Sequence, residues 1–206
     1  MTHHKHIKAG LVVALAGGAV MASGCGESTP EAAKMAARPD KVDVARFLMR
    51  DGEQPGFRRI ETIRTESAEA FAQHAPLTKA ERREVRSAGM GLATFQPTEG
   101  PNTVGVTSMT LFTSAEGAAR WLALEQRADY IRRHVPGGGK VRHFDVPGIP
   151  GARGWTASKD DHRVGNVYWV QGRCLMVLGN ESPGPFAGSL STGAKAIYQR
   201  TKGRCP

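Results

Sequence analysis

Two apolar runs, 164–170 and 173–179, are separated only by Gln171-Gly172. Runs rich in Val, Leu, Tyr and Trp, joined by a short glycine-containing link, read as a β-hairpin. A hairpin commits this region to antiparallel pairing, because parallel neighbours need a crossover of a dozen residues or more. Tyr168 and Trp169 are adjacent in the first run, so they face opposite sides of any sheet. At most one of them is then expected in a core, and the other half-exposed.

Other stretches fit around this hairpin. Val42 to Met49 has apolar residues at helical spacing. Phe57 to Thr65 alternates and predicts a strand, followed by a helix over 66–74. Thr78-Lys79-Ala80-Glu81 is a capping box opening a short charged helix to about Ser87. Leu92 to Gln96 reads as a strand and Pro97 to Pro101 as a turn. Val104 to Thr113 is rich in Val, Thr and Phe and predicts a strand. Ser114 then caps what reads as the longest helix, running to about His134, with Glu116–Arg120 and Asp129–Arg133 pairs on its wet face. Val141 to Val146 and Gly154 to Ser158 read as short strands, and Ser189 to Lys202 as a closing helix. The strand-then-Ser-capped-helix order occurs twice, before Ser67 and before Ser114. Hairpins with helices between them define an α+β class: a mostly antiparallel sheet with packed helices.

The N-terminus is of a different kind. Residues 1–8 are basic and without acids, 9–22 are uncharged and apolar, and Ala22-Ser23-Gly24-Cys25 follows. That is the order of a secretory leader. Its apolar stretch is shorter than the about 20 residues a membrane span requires. The small residues before Cys25 resemble a lipobox, the cleavage and lipidation site of bacterial lipoproteins, with Ala22 where Leu is usual. The resemblance implies cleavage before Cys25 and acyl chains on its thiol, enough to hold the chain at a membrane. The competing reading is an ordinary secreted chain whose first mature cysteine is incidental. The expected division is a leader over 1–24, a lipidated tether over 25–40, and one α+β domain over 41–206. His3, His4 and His6 look like a metal tract but lie in the discarded leader.

Lys5 and Lys8 lie in the leader, so the rest carries 26 Lys+Arg against 19 Asp+Glu, a net +7. Such a surface favours anionic partners such as envelope polymers or lipid headgroups. Nucleic acid is not expected outside the cell. With Cys25 assigned to lipid, Cys174 and Cys205 are left as a pair. Export places them in an oxidising compartment, which favours a disulfide over two separate thiols.

Motifs for chemistry are sparse. Asp160-Asp161-His162 is ordinary turn chemistry. Pro136-Gly137-Gly138-Gly139-Lys140 has no Ser or Thr after the lysine and lies in the wrong order for a phosphate loop. His134 and His143 flank that loop without metal-ligand spacing, and no nucleophile elbow is present. No catalytic residue, metal or cofactor is assigned. The binding candidates are aromatics beside arginines: Trp155, Tyr168 and Trp169 with Arg153, Arg163 and Arg173.

The segments Val-Thr-Ser-Met-Thr-Leu-Phe-Thr-Ser-Ala-Glu-Gly-Ala, Val-Pro-Gly-Ile-Pro-Gly-Ala-Arg-Gly and Val-Tyr-Trp-Val-Gln-Gly-Arg together resemble actinobacterial exported lipoproteins of undefined function. Some of these are similar to the PsbP/Mog1 type of α-β-α sandwich. The resemblance implies a fold and carries no catalytic residues. The expectation is a lipid-anchored envelope binding or accessory module. An envelope-acting hydrolase and a purely structural envelope protein are the alternatives.

Overall fold

The computed structural model describes residues 44–135, 139–159, 162–184 and 186–206. The leader, Cys25, the tether, Asp160-Asp161 and most of the glycine loop before Lys140 lie outside those residues.

A 3₁₀ turn (Val44–Phe47) leads to β1 (Arg58–Arg59), β2 (Arg64–Ser67), α1 (Ala68–His74) and α2 (Lys79–Ser87). The long hairpin β3 (Met90–Gly100) and β4 (Thr103–Phe112) follows, then α3 (Ala115–Glu125) and α4 (Ala128–His134). The chain closes with β5 (Lys140–Asp145), β6 (Arg153–Lys159), β7 (His162–Gln171), β8 (Cys174–Ser182) and α5 (Ala187–Thr201). The strands form one antiparallel sheet in the order β1-β3-β4-β8-β7-β6-β5, with β2 also on β3. This is the α+β fold expected, and the hairpin at Gln171 is β7–β8, with Gln171 opposite Cys174.

Helices cover both faces. On one, α1 to α4 pack over Leu175, Tyr168 and Trp155. On the other, α5 and the N-terminal segment pack over Met109, Trp169, Met176 and Leu178. Tyr168 and Trp169 do face opposite sides, but both are buried, because each side has its own helix layer. The expectation that one would stay half-exposed is corrected accordingly.

The expected strand over 57–65 is two short strands, and β3 runs through Pro97 instead of turning there. A proline survives in this strand for a geometric reason. Its carbonyl accepts from Ile60 N at 2.9 Å, so its missing N–H also faces β1 and β2. That side is where the partner strand is interrupted, between Arg59 and Arg64. The reversal moves to Pro101-Asn102, where Asn102 takes φ 55°.

Local signals decide the helix starts. Ser67 accepts from Ala70 N at 3.2 Å and Ser114 from Gly117 N at 3.1 Å. Thr78 and Glu81 close the full capping box at 3.2 and 2.8 Å. The single helix expected over 114–134 is broken at Gln126-Arg127, with Arg127 extended. The break lets α3 lie across β4, β8 and β7 while α4 turns along β5. Arg127 and Arg133 both bond Asp129 and hold its carboxyl well below the usual range. Arg120 pairs with Glu84 of α2 at 2.8 Å rather than with Glu116.

Two ties fasten the ends to the sheet. Arg200 of α5 is ion-paired to Glu53 and bonds the carbonyls of Arg46 and Leu48, which holds the N-terminal segment on α5. Cys174 and Cys205 are joined by a disulfide with Cα atoms 5.7 Å apart. Gln171 Nε2 reinforces it by donating to Arg204 O at 2.5 Å.

Candidate functional site

The sheet register puts a polar row across the face that α5 covers. It runs Arg142, Thr156, Gly165, Asn180, Gly105, Thr98 from β5 to β3. The next row on the same face places Lys140 beside Ser158 and Ser158 beside Arg163. At the β5–β7 end these rows form a pocket of about 260 Å³, lined by Arg142, Thr156, Ser158, Arg163 and Phe186, with Ala187 at the start of α5.

Strand alternation alone collects these side chains. Lys140 and Arg142 are two apart on β5, as are Thr156 and Ser158 on β6, so each pair shares a face. Arg142 and Arg163 are both exposed. Neither forms an ion pair among the described residues. The N-cap of α5 is Phe186, which makes no side-chain bond to the first-turn amides. Those amides and the helix dipole therefore add positive potential at the same end.

Deeper along the row, the polar atoms have no protein partner. Asn180 is 2% exposed and Thr98 1%. Both amide atoms of Asn180 and the hydroxyl of Thr98 lack hydrogen bonds, as do Gln96 Oε1 and Thr107 Oγ1. Two glycines make this row possible. A Cβ on Gly105 would lie 2.5 Å from Thr98 Oγ1 and 2.6 Å from Asn180 Oδ1, so these groups converge over bare backbone. A Cβ on Gly165 would lie 2.8 Å from the Phe186 ring, which separates the pocket from Asn180.

The opposite face carries a second polar cluster. Glu125 ends α3 and accepts from Trp121 Nε1 at 2.9 Å, while its other oxygen has no partner. Burial pushes its carboxyl up to about 7. Tyr168 accepts from Asn166 Nδ2 at 2.8 Å, and burial, then the nearby Glu125 charge, raises its phenol well above the ordinary range. His134 Nδ1 lies 2.8 Å from Tyr130 O, and its ring stacks on Tyr130. This cluster is enclosed by Trp121, Tyr130, Trp155 and Tyr168, all buried.

The residues singled out from sequence fall in several places. Trp155, Tyr168 and Trp169 are core, so no exposed aromatic stands beside the arginines. Arg153 lies on the face away from α5, bonded to Asp145 at 3.2 Å. Arg173 is in the β7–β8 turn, beside the C-terminus. Arg163 alone of the six lines the pocket. Arg142, Thr156 and Ser158 were not singled out. The alternation of Lys140, Arg142 and Phe144 was the available signal, but only strand pairing shows that they meet Arg163. Among the described residues no group of three or more His, Cys, Asp or Glu side chains is placed to hold a metal.

No protein-family model matches the sequence, and no curated protein matches it. The structure is similar to the crystal structure of the extracellular domain of PknH from Mycobacterium tuberculosis, with TM-score 0.51 and 13% identity. The match covers 77% of this chain and 94% of that one. At this identity the likeness concerns the fold. No helix among the described residues is long and apolar enough to cross a membrane.

Proposed function

We propose that the protein is a lipid-anchored binding module on the outer side of a cell membrane, which engages anionic groups of envelope polymers or lipids. The basic pocket at the start of α5 carries this reading: two arginines without ion-pair partners among the described residues, two hydroxyls and a helix N-terminus converge there. These groups supply charge and hydrogen-bond donors, which is the equipment of binding. Three further observations support the setting. Residues 1–25 have the order of a lipoprotein leader. A disulfide joins Cys174 and Cys205, as suits an oxidising compartment. The fold is similar to that of an extracellular domain.

The test has two readouts. Protease added to intact cells should digest the protein. The purified protein should bind an anionic polymer, either a glycerol-phosphate polymer or the carboxylate-bearing polygalacturonate, and leave neutral dextran unbound. Protection from protease in intact cells, or equal binding of dextran, contradicts the proposal.

A further inference from the structure

The anion class at the α5 pocket can be narrowed from its donors. A carboxylate offers two oxygens and one negative charge. The pocket offers two guanidinium forks, the hydroxyls of Thr156 and Ser158, and the first-turn amides of α5, which no N-cap side chain bonds. Lys140 adds a third cation in the adjoining row. Each guanidinium presents its N–H groups in a planar fork that fits a pair of oxygens. A carboxylate satisfies one such fork. A phosphate monoester, with three non-bridging oxygens and a charge of up to about −2, satisfies both. The cavity, about 260 Å³, is below the ~300–1,000 Å³ usual for whole small-molecule ligands. It suits a headgroup attached to something larger.

Behind the pocket the row stays polar. Asn180 lies three strands inward from Arg142 on the same row and is 2% exposed, with neither amide atom bonded among the described residues. Buried amides are nearly always paired. This one sits behind the Phe186 ring and is not part of the pocket's lining, so the ligand assignment rests on the pocket's own donors.

We infer that the α5 pocket is a seat for a phosphate monoester, gripped by Arg142 and Arg163 and completed by Thr156, Ser158 and the first-turn amides of α5. This rests on the binding-module reading above and specifies its ligand chemistry. The phosphate could be carried by a lipid headgroup or by a soluble ester.

The experiment is a titration of the purified protein with glycerol phosphate at about 150 mM salt, where long-range charge effects are screened. Three proteins are compared: native, Arg142→Ala with Arg163→Ala, and Arg83→Ala with Arg86→Ala. The last pair is exposed on α2, on the other side of the sheet, and removes the same charge. The pocket variant should lose about 10-fold or more in affinity, the scale of one lost charge-assisted hydrogen bond. The α2 variant should stay close to native. Arg163→Lys keeps the charge but loses the fork, and should bind several-fold more weakly.

Equal losses in both double variants would reduce the site to diffuse charge and overturn the proposal. No loss in the pocket variant would also overturn it. If acetate competes as well as phosphate, the phosphate assignment fails while the module reading stands. If no anionic probe binds at all, both fail together. Phosphatidic acid vesicles, compared with phosphatidylcholine vesicles, separate the sources. A pocket-dependent preference for phosphatidic acid assigns the lipid headgroup, and binding of glycerol phosphate without that preference assigns the soluble ester.

Discussion

Glu125 is half-buried as a residue, and its carboxyl, enclosed among aromatic side chains, shows how much one group can decide. Its neighbours are aromatic, and Trp121 supplies its one hydrogen bond. Burial disfavours the charged form, so its folded pKa of about 7 lies above the unfolded value of 4.5. Between those values the folded state binds more protons than the unfolded one, so stability falls as pH rises. The cost is absent below about pH 4.5, grows through the interval and is complete above about pH 7. Glu125→Gln removes the charge and keeps an oxygen for Trp121. The variant should match native stability near pH 4.5 and exceed it by about 1–3 kcal/mol at pH 8. Urea denaturation at the two pH values checks this, and an equal effect at both would show that the carboxylate does not titrate as described. The α5 pocket lies on the other face of the sheet, so anion binding there should not follow this titration.

At the scale of elements, what could be read in advance was what local chemistry decides. The Thr78–Glu81 box, the Ser114 cap and the β7–β8 hairpin each depend on residues within a few positions of one another. What could not be read was what distant strands decide. Pro97 looks like a turn until the interruption between β1 and β2 is known to lie opposite its missing N–H. The break at Arg127 leaves the apolar stripe of Ala118, Trp121, Leu124 and Ile131 in place, so periodicity alone cannot reveal it. Tyr168 and Trp169 were separated correctly by face, but the number of helix layers was not legible. The pocket was half legible for the same reason, since Arg163 and Arg142 meet through β6 and neither is near the other in sequence. The Cys174–Cys205 link was legible because the expected leader implied an oxidising compartment and the lipobox resemblance set Cys25 aside. It closes a loop of 31 residues. The chain-entropy account assigns such a loop about 3–4 kcal/mol. Replacing both cysteines by serine should lower stability by about that amount, with the C-terminal end of α5 gaining the fastest amide exchange. Unchanged stability and exchange would mean that Gln171 and Arg204 hold that end without the bond.

On the scale of the whole molecule, the sheet works as a plate with unequal sides. The face under α1 to α4 is closed over aromatic side chains and the Glu125 cluster. The face under α5 is polar along one row and opens at the β5–β7 end into the basic pocket. A net charge of +7 beyond residue 24 favours attraction to anionic surfaces, and the proposed pocket would give that attraction an address. In this account Cys25 supplies the position and the α5 pocket supplies the contact. An anchored module meets envelope anions at a high local concentration, so a modest intrinsic affinity suffices.

The proposed module works while held at the membrane by lipid on Cys25. Metabolic labelling with a fatty-acid probe tests it directly, comparing the native chain with Cys25→Ala. The native protein should be labelled and sediment with membranes, and the variant should be unlabelled and released. If both are unlabelled and both are released, the anchor does not exist and the claim is wrong.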